Sequence, residues 1–262
     1  MEPVSIEFIS EGEYVRGRFF PAVGTDEPTT LLLVPGWPGN PNDVLGLGAV
    51  LSDVGINVCI FNPRGLHQSE GIASHANTLQ DIGTAWQWLK QAYVQERFKV
   101  DTTRLVLGGY SFGGGMAMAY AARDPSVCRV VSIAGADFGE VGRLLQHNPT
   151  FNATIRQSLW STRSPDGPAR FDVDAIIQEV IDNPEVYGLR ENAANLANSA
   201  ILLIGGWDDE LAPIELFHLP LYRVLRSAGA AKVTFLVYHT DHDFTGMNQR
   251  LAADIMEWLT RE

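Results

Sequence analysis

Continuous apolar runs alternate with amphipathic stretches along most of the chain, and this alternation predicts the fold. Two early runs, Val4–Ser10 and Glu13–Phe20, alternate apolar and polar positions, which predicts two strands. From residue 31 onward the runs are mostly apolar, as in parallel strands that are buried on both faces. We predict such strands at residues 31–34, 56–61, 105–107, 129–134, 201–204 and 232–238.

Stretches of helical pattern lie between these runs and predict the helices that connect the strands. They cover residues 43–54, 78–98, 116–123, 213–228 and 247–260; residues 78–98 are amphipathic, and residues 116–123 are rich in Ala and Met. Strands that alternate with helices imply an α/β fold, with a mainly parallel central sheet and helices on both of its faces. In such sheets ligands bind at the carboxyl ends of the strands.

The alternation breaks between Asp137 and Ser199, where only helical patterns appear. These patterns cover residues 139–146, 153–161, 172–181 and 189–196. The segment is too long for a plain loop and should have a structure of its own. We therefore divide the chain into an α/β core, residues 1–137 and 199–262, and an insertion, residues 138–198. The insertion is predicted to be a helical cap over the site; a helical decoration far from the site is the alternative.

The stretch from Gly109 to Gly113 carries the first candidate for chemistry. It reads Gly-Tyr-Ser-Phe-Gly and lies between a predicted buried strand and a predicted helix. In this spacing the serine, Ser111, occupies a strained strand-to-helix turn, and the flanking glycines leave room for it. A glycine-rich turn that only packs closely is the alternative.

Two loops late in the chain offer partners for this serine. A serine hydroxyl needs a base to act as a nucleophile, and the base needs an acid that orients it. Asp208 and Asp209 follow one predicted strand, and His239 and His242 follow the last one. All these loops open at the same edge of the predicted sheet as Ser111.

Four segments together resemble the α/β-hydrolase superfamily, nearest in pattern to esterases, dienelactone-hydrolase-like enzymes and serine peptidases with a helical cap. They are Leu-Leu-Val-Pro-Gly-Trp at 32–37, Asn-Pro-Arg-Gly at 62–65 with Ser69, Gly-Tyr-Ser-Phe-Gly at 109–113, and Gly-Trp-Asp-Asp at 206–209 with Pro213, followed by His242. The resemblance implies the α/β-hydrolase fold from about residue 31 onward.

The resemblance also implies roles for individual residues. Ser111 would be the nucleophile and His242 the base. Asp209, which stands four residues before Pro213, would be the acid, with Asp208 as the fallback.

The resemblance further implies an oxyanion hole and an acyl pocket. The backbone N–H groups of Trp37 and Phe112 would form the oxyanion hole. Apolar side chains of the insertion are predicted to line the acyl pocket: Phe138, Leu144, Leu145, Phe151, Leu159 and Trp160.

We therefore predict a serine hydrolase that forms an acyl-enzyme, acts on a small-molecule carboxylic ester and needs no cofactor. An amidase or serine peptidase of the same fold is the first alternative, in which Glu140, Glu179 or Glu185 would bind a substrate amine. A non-catalytic ligand receptor is the remote alternative. The acidic and histidine side chains at residues 239–243 also suit a metal, but no matching ligand set appears elsewhere, so no metal is predicted.

Composition narrows the expected partners and the location. The formal net charge of −12 argues against binding to nucleic acid or to anionic membranes. No apolar stretch approaches the length of a membrane span, about 18 residues. The first residues lack the pattern of a signal peptide, which favours the cytoplasm. In the family's sheet Cys59 and Cys128 are expected to be separated by two intervening strands, and therefore to stay unpaired. The sequence leaves the oligomeric state open.

Overall fold

The structure is a computed structural model that describes residues 2–261, and its centre is one eight-stranded sheet. The strands are β1 (Val4–Ser10), β2 (Glu13–Phe20), β3 (Thr29–Val34), β4 (Ile56–Asn62), β5 (Leu105–Tyr110), β6 (Arg129–Ile133), β7 (Ala200–Gly206) and β8 (Val233–Tyr238). Their order in space is β1-β2-β4-β3-β5-β6-β7-β8. The strands from β3 to β8 pair in parallel, while β2 pairs antiparallel with both β1 and β4. Met1 and Glu262, the ends of the predicted core, lie outside the described residues.

Side chains of the strands alternate between two apolar layers, one on each face of the sheet. In β3, Leu32 and Val34 belong to one layer, and Leu31 and Leu33 belong to the other. All four side chains are fully buried. This explains the unbroken apolar run in the sequence, because a parallel strand that is covered on both faces needs no polar side.

Helices cover both layers, and the predicted α/β fold is confirmed. In the core they are α1 (Leu47–Asp53), α2 (His75–Leu89), α3 (Ala92–Phe98), α4 (Phe112–Ala121), α9 (His218–Ser227) and α10 (Asn248–Arg261). The sequence predicted one helix over residues 78–98, but the structure has two, α2 and α3. The chain leaves α2 at Lys90, and α3 begins after Gln91.

The insertion forms four helices and a short 3₁₀ helix, with no strand among its residues. The helices are α5 (Phe138–His147), α6 (Pro149–Thr162), α7 (Val173–Asp182) and α8 (Pro184–Tyr187), and the 3₁₀ helix is Ala193–Leu196. α5 packs against the other three helices. The helix predicted over residues 189–196 is therefore wrong, since its first half is a turn and its second half is the 3₁₀ helix.

Asp137 joins the two ends of the insertion at its boundary with the core. Its side chain is fully buried, and Oδ1 accepts hydrogen bonds from the backbone N–H groups of Gly139 and Leu189, each at 3.1 Å. Oδ2 lies 3.0 Å from Nε of Arg190. The start of α5 and the chain that leads back towards β7 are therefore held together by one carboxylate.

Candidate active site

Ser111 stands at the corner between β5 and α4. Its backbone has φ of 53° and ψ of −119°, a conformation that a residue with a side chain rarely adopts. Its N–H donates to the carbonyl oxygen of Ile133 at the end of β6, at 2.7 Å. The serine is thereby fixed at the carboxyl edge of the sheet, directly before the helix.

The glycines on either side of Ser111 permit this turn because the backbone passes very close to both. A Cβ at Gly109 would lie 2.1 Å from the carbonyl oxygen of Gly113. A Cβ at Gly113 would lie 2.2 Å from the carbonyl oxygen of Val34 in the neighbouring strand β3. These approaches also explain why α4 begins at Phe112, four residues before its predicted start, since the glycines belong to its first turn.

Hydrogen bonds connect the loop after β7 to the loop after β8. The N–H of Trp207 donates to the carbonyl oxygen of Tyr238 at 2.7 Å, and the N–H of Asp208 donates to that of Thr240 at 3.0 Å. Because β7 and β8 are neighbours, the two loops leave the same edge of the sheet together. This connection brings Asp209 and His242 to the same place.

Ser111, His242 and Asp209 form a continuous chain of hydrogen bonds. His242 Nε2 lies 2.8 Å from Ser111 Oγ, and His242 Nδ1 lies 2.7 Å from Asp209 Oδ2. The other oxygen of Asp209 accepts the N–H groups of Leu211 and Ala212 at 2.9 and 2.7 Å. Burial alone would raise the pKa of Asp209, but the hydrogen bonds from His242 and from these amides outweigh it and lower the pKa. Asp209 is therefore an ionised acceptor at neutral pH.

Asp208 and His239 form a separate pair that does not reach Ser111. His239 Nδ1 lies 3.0 Å from Asp208 Oδ2, and the two side chains are 83% and 57% exposed. The neighbouring carboxylates thus point to different histidines, as adjacent residues of a turning segment do. Of the two acids that the sequence offered, the structure joins Asp209 to His242.

The backbone amides of Trp37 and Phe112 stand on either side of Ser111 in the fold. Trp37 lies in the loop after β3, next to β5, and Phe112 is the first residue of α4. Among residues 2–261, neither amide donates a hydrogen bond to a protein acceptor. The indole of Trp37 has a different task, since its Nε1 donates to Thr162 Oγ1 of the insertion at 2.9 Å.

A cavity of about 660 Å³ opens above Ser111 between the core and the insertion. Four of the six predicted lining residues face it, namely Phe138, Leu145, Phe151 and Leu159. Leu144 and Trp160 do not, so these two predictions are wrong. Trp160 is 55% exposed, and its indole packs against the guanidinium of Arg163. Apolar residues of α7 complete the wall: Ile176, Ile177 and Val180.

Two polar residues of the cavity wall were missed by the sequence analysis. Tyr110 precedes Ser111, and its hydroxyl lies 3.0 Å from Asp243 Oδ1 and 3.1 Å from the carbonyl oxygen of His242. It therefore holds the loop that carries His242. His75, which the sequence analysis does not single out, is buried in the cavity wall. Its place after the loop that follows β4, at the same edge of the sheet, was the available signal.

Arg64 in the loop after β4 fixes the position of α2. Its Nε and its backbone N–H both lie 2.7 Å from the carboxylate of Asp81, which is fully buried. A guanidinium N–H of Arg64 also donates to the carbonyl oxygen of Asn77 at 3.3 Å. The loop and α2 are thus joined mainly by an ion pair.

Comparison with known proteins places the chain in a family. The alpha/beta hydrolase fold family matches residues 29–161, which contain β3 to β6 and Ser111. The chain belongs to this family, the α/β hydrolases. Over 122 residues, 45% of this α/β hydrolase, it is 34% identical to the uncharacterized protein YfhR of Salmonella typhi. The matched segment spans 40% of the length of that relative, and the same holds for YfhR of Salmonella typhimurium.

Solved structures share the fold over nearly all of this α/β hydrolase. An esterase from Pyrococcus furiosus has a TM-score of 0.72 and 17% identity, over 99% of this chain and 91% of its own. A monoacylglycerol lipase from Paleococcus ferrophilus has a TM-score of 0.65 and 18% identity, over 99% and 98%. An acylaminoacyl peptidase from Pyrococcus horikoshii has a TM-score of 0.70 and 18% identity, over 100% of this chain and 41% of its own. At these identities the likeness concerns the fold.

Three further observations bear on cysteines, metals and membranes. Cys59 is buried in β4, Cys128 is exposed before β6, and neither forms a disulfide. In the described part of the chain, no group of three or more His, Cys, Asp or Glu side chains is arranged to hold a metal ion. No helix between residues 2 and 261 combines the length and the apolar character needed to cross a bilayer.

Proposed function

We propose that this α/β hydrolase is a serine carboxylesterase with Ser111, His242 and Asp209 as its catalytic triad. The observation that carries the proposal is the pair of hydrogen bonds, 2.8 Å from Ser111 Oγ to His242 Nε2 and 2.7 Å from His242 Nδ1 to Asp209 Oδ2. Both lie at the base of a cavity with a mainly apolar wall. A nucleophile, a base and an orienting acid in this order are what acyl transfer requires.

In the first half of the reaction Ser111 Oγ attacks the ester carbonyl carbon while His242 Nε2 accepts the hydroxyl proton. Asp209 accepts the hydrogen bond from Nδ1–H and stabilises the imidazolium. The carbonyl oxygen becomes an oxyanion, which the amides of Trp37 and Phe112 would bind, since each is free to donate. His242 then gives its proton to the leaving alcohol, and the acyl group remains on Ser111.

In the second half water attacks the acyl-enzyme. His242 takes one proton from the water as the tetrahedral intermediate forms, and it returns this proton to Ser111 Oγ as the intermediate collapses, which releases the carboxylic acid and restores the Ser111 hydroxyl. The proton that Ser111 and His242 exchange moves between atoms that lie 2.8 Å apart. The proposed chemistry needs no cofactor.

The insertion supports an ester with an apolar acyl chain. Helices α5, α6 and α7 supply much of the cavity wall, with Phe138, Leu145 and Leu159 among its members. We therefore propose that residues 138–198 act as a cap and that its apolar side chains bind the acyl chain.

The amidase or peptidase alternative lacks a comparable observation. Among the described residues that line the cavity, none is Glu140, Glu179 or Glu185. Glu140 is paired with Arg143 and Arg190, and Glu179 with His75. An acidic residue that would bind a substrate amine is therefore not supplied by these three.

A substrate panel tests the proposal against both alternatives. The purified protein is given p-nitrophenyl esters of increasing acyl length and, in parallel, aminoacyl p-nitroanilides, with Ser111→Ala as the control. We expect turnover of esters, little or no turnover of anilides, and none of either by the variant. Faster cleavage of anilides would favour the peptidase, and binding without turnover of any substrate would favour the receptor.

A further inference from the structure

A second histidine–carboxylate pair lies in the wall of the cavity, apart from the Ser111–His242–Asp209 chain. His75 is the first residue of α2, is 6% exposed and lines the cavity. Its Nδ1 lies 3.3 Å from Oε2 of Glu179 in α7. One partner therefore belongs to the core and the other to the insertion.

Glu179 is held in place by several donors. Its Oε2 also accepts the backbone N–H of His75 at 2.9 Å, and its Oε1 accepts the N–H of Ala76 at 2.7 Å and the hydroxyl of Tyr187 at 2.8 Å. Burial alone would raise the pKa of Glu179, but the hydrogen bond and charge of His75 and the Tyr187 hydroxyl lower it to about 2. An ionised carboxylate only accepts, so Nδ1 of His75 carries the proton of this hydrogen bond.

The other ring nitrogen of His75, Nε2, is available to a ligand. It makes no hydrogen bond within residues 2–261, and it is not among the unpaired side-chain atoms that are sealed from solvent. The ring is enclosed by Phe112, Phe138 and Tyr187, with centroids at 5.4, 5.0 and 5.3 Å. The small exposed part of His75 therefore includes Nε2, which presents a polar atom on a mainly apolar wall.

The environment of His75 differs from that of a purely structural histidine. Both nitrogens of the buried His218 are sealed from solvent, whereas Nε2 of His75 is not, although an unpaired polar atom in an apolar wall costs free energy. Here Glu179 fixes the ring through Nδ1, and Nε2 has no protein partner in the described residues. An apolar acyl chain against Nε2 would remove water from it without replacing the hydrogen bond.

We propose that Nε2 of His75 binds a hydroxyl group on the acyl chain, so that the enzyme prefers esters of hydroxylated acids over the unsubstituted ones. A hydroxyl donates to Nε2 of the neutral ring and can also accept from Nε2–H if the ring is protonated. His75 packs against Phe138 of the insertion and against Phe112, the residue after Ser111. The inference rests on the proposed ester hydrolysis and names its substrate class.

The preference can be measured with methyl esters of octanoic acid that carry a hydroxyl at carbon 3, 6 or 8, each compared with methyl octanoate. Acid release is followed by titration at constant pH, which gives the ratio of kcat/KM values for each pair. We expect at least one hydroxylated ester to be preferred by about fivefold to tenfold, the value of one hydrogen bond. Equal kcat/KM values for all of them would overturn the proposal.

Three variants assign the preference to His75. His75→Phe keeps a ring of similar size without a nitrogen, and we expect it to lose the preference. His75→Gln places an amide near the position of Nε2 and should retain part of it. His147→Phe, which changes an exposed histidine of the insertion, should leave the ratio unchanged. If His75→Phe kept the full preference, the hydroxyl of the acyl chain would be bound by a residue other than His75, which would contradict the proposal.

Binding to the Ser111→Ala protein separates this inference from the proposed reaction. Calorimetry with the same esters should give the same preferred ligand, with an affinity ratio of about fivefold to tenfold that His75→Phe abolishes. Selective binding by a wild-type protein that hydrolyses no ester would contradict the esterase proposal and support the His75 site. Hydrolysis and binding of all esters alike would contradict the His75 site and leave the esterase proposal standing.

Discussion

Two histidine–carboxylate pairs face one cavity, and they differ in what the second ring nitrogen meets. In His242–Asp209 the Nε2 atom lies 2.8 Å from Ser111 Oγ, whereas in His75–Glu179 it has no partner among the residues that the structure describes. Both carboxylates accept backbone N–H groups in addition to the histidine, so both rings are held in one orientation. A carboxylate that orients a histidine therefore does not by itself give the ring a role in proton transfer, and the proposed role of His242 rests on its contact with Ser111 Oγ.

Asp208–His239 extends the comparison to the surface. Its Nδ1–Oδ2 distance of 3.0 Å lies between those of the two buried pairs, yet both side chains are largely exposed. Solvent screens such a pair, and its contribution to stability is small. The three histidine–carboxylate pairs are therefore matched positions, and substitutions in them should differ greatly in their effect on activity.

The largest effect is expected at the nucleophile. Ser111→Ala removes the hydroxyl that His242 Nε2 contacts, so kcat towards esters should fall by about 10⁴-fold or more. The fold should persist, because the change removes one oxygen atom. Steady-state kinetics and circular dichroism measure the two quantities, and near-normal turnover by a folded variant would exclude Ser111 as the nucleophile.

The two neighbouring aspartates give the next largest difference. Asp209→Asn keeps the shape of the side chain but removes the charge that stabilises the imidazolium, and kcat should fall by about 10⁴-fold. Asp208→Asn alters only the exposed pair with His239, and kcat should fall by less than about tenfold. A larger loss in Asp208→Asn than in Asp209→Asn would contradict the assignment of the acid.

A third buried histidine, His218 at the start of α9, has neither a carboxylate nor any other hydrogen-bond partner in the described residues. Burial lowers its pKa from 6.5 to about 4. As the pH falls below about 6.5, the unfolded chain takes up a proton that the folded chain does not, so stability falls until about pH 4. The loss is about 2 kcal/mol between pH 7 and pH 4.5.

His218→Phe should remove this pH dependence while keeping a ring against Phe235. Urea denaturation of both proteins at several pH values measures it. The pH range stops near 4.5 because Glu179 adds a second pH dependence below it. Its pKa of about 2 in the folded protein is lower than its ordinary value of 4.5, so the stability that it contributes is lost as the pH falls from about 4.5 to about 2. The same slope in both proteins would show that His218 is not the group responsible.

The smallest effect is expected in the cavity wall, where Leu159 and Trp160 are adjacent but face different ways. Leu159→Ala enlarges the cavity and should shift the preferred acyl chain by about one or two carbons, with a change in kcat/KM of about fivefold. Trp160→Ala should leave the profile unchanged, because that indole is outside the cavity. A p-nitrophenyl ester series of increasing acyl length measures the profile of each variant. A shifted profile in Trp160→Ala with an unchanged one in Leu159→Ala would show that Trp160, not Leu159, contacts the acyl chain.

The core was largely predictable because its signals are local. The apolar runs locate the six parallel strands, and the glycines around Ser111 are required by approaches of about 2 Å that leave no alternative. The spacing from Gly206 to Pro213 selected Asp209, the acid that the structure joins to His242. In each case a few residues of sequence determine the backbone path, and the parallel sheet then brings the loop ends together.

The insertion was predictable as helical but not in its side-chain directions. Leu144 and Leu145, like Leu159 and Trp160, are adjacent apolar residues, and only the packing of α5 and α6 decides which member of each pair faces the cavity. His75 was missed for a related reason. Its partner Glu179 lies more than a hundred residues away on another helix, and no spacing in the sequence indicates their contact.

Labelling with a fluorophosphonate tests the central claim most directly, since this reagent phosphonylates only a serine whose hydroxyl is activated by a base. Intact-protein and peptide mass spectrometry then identify the modified residue. We predict a single adduct on the peptide that contains Ser111, absent from Ser111→Ala and formed far more slowly in His242→Ala. An adduct on another serine, or none on the folded wild-type protein, would contradict the account.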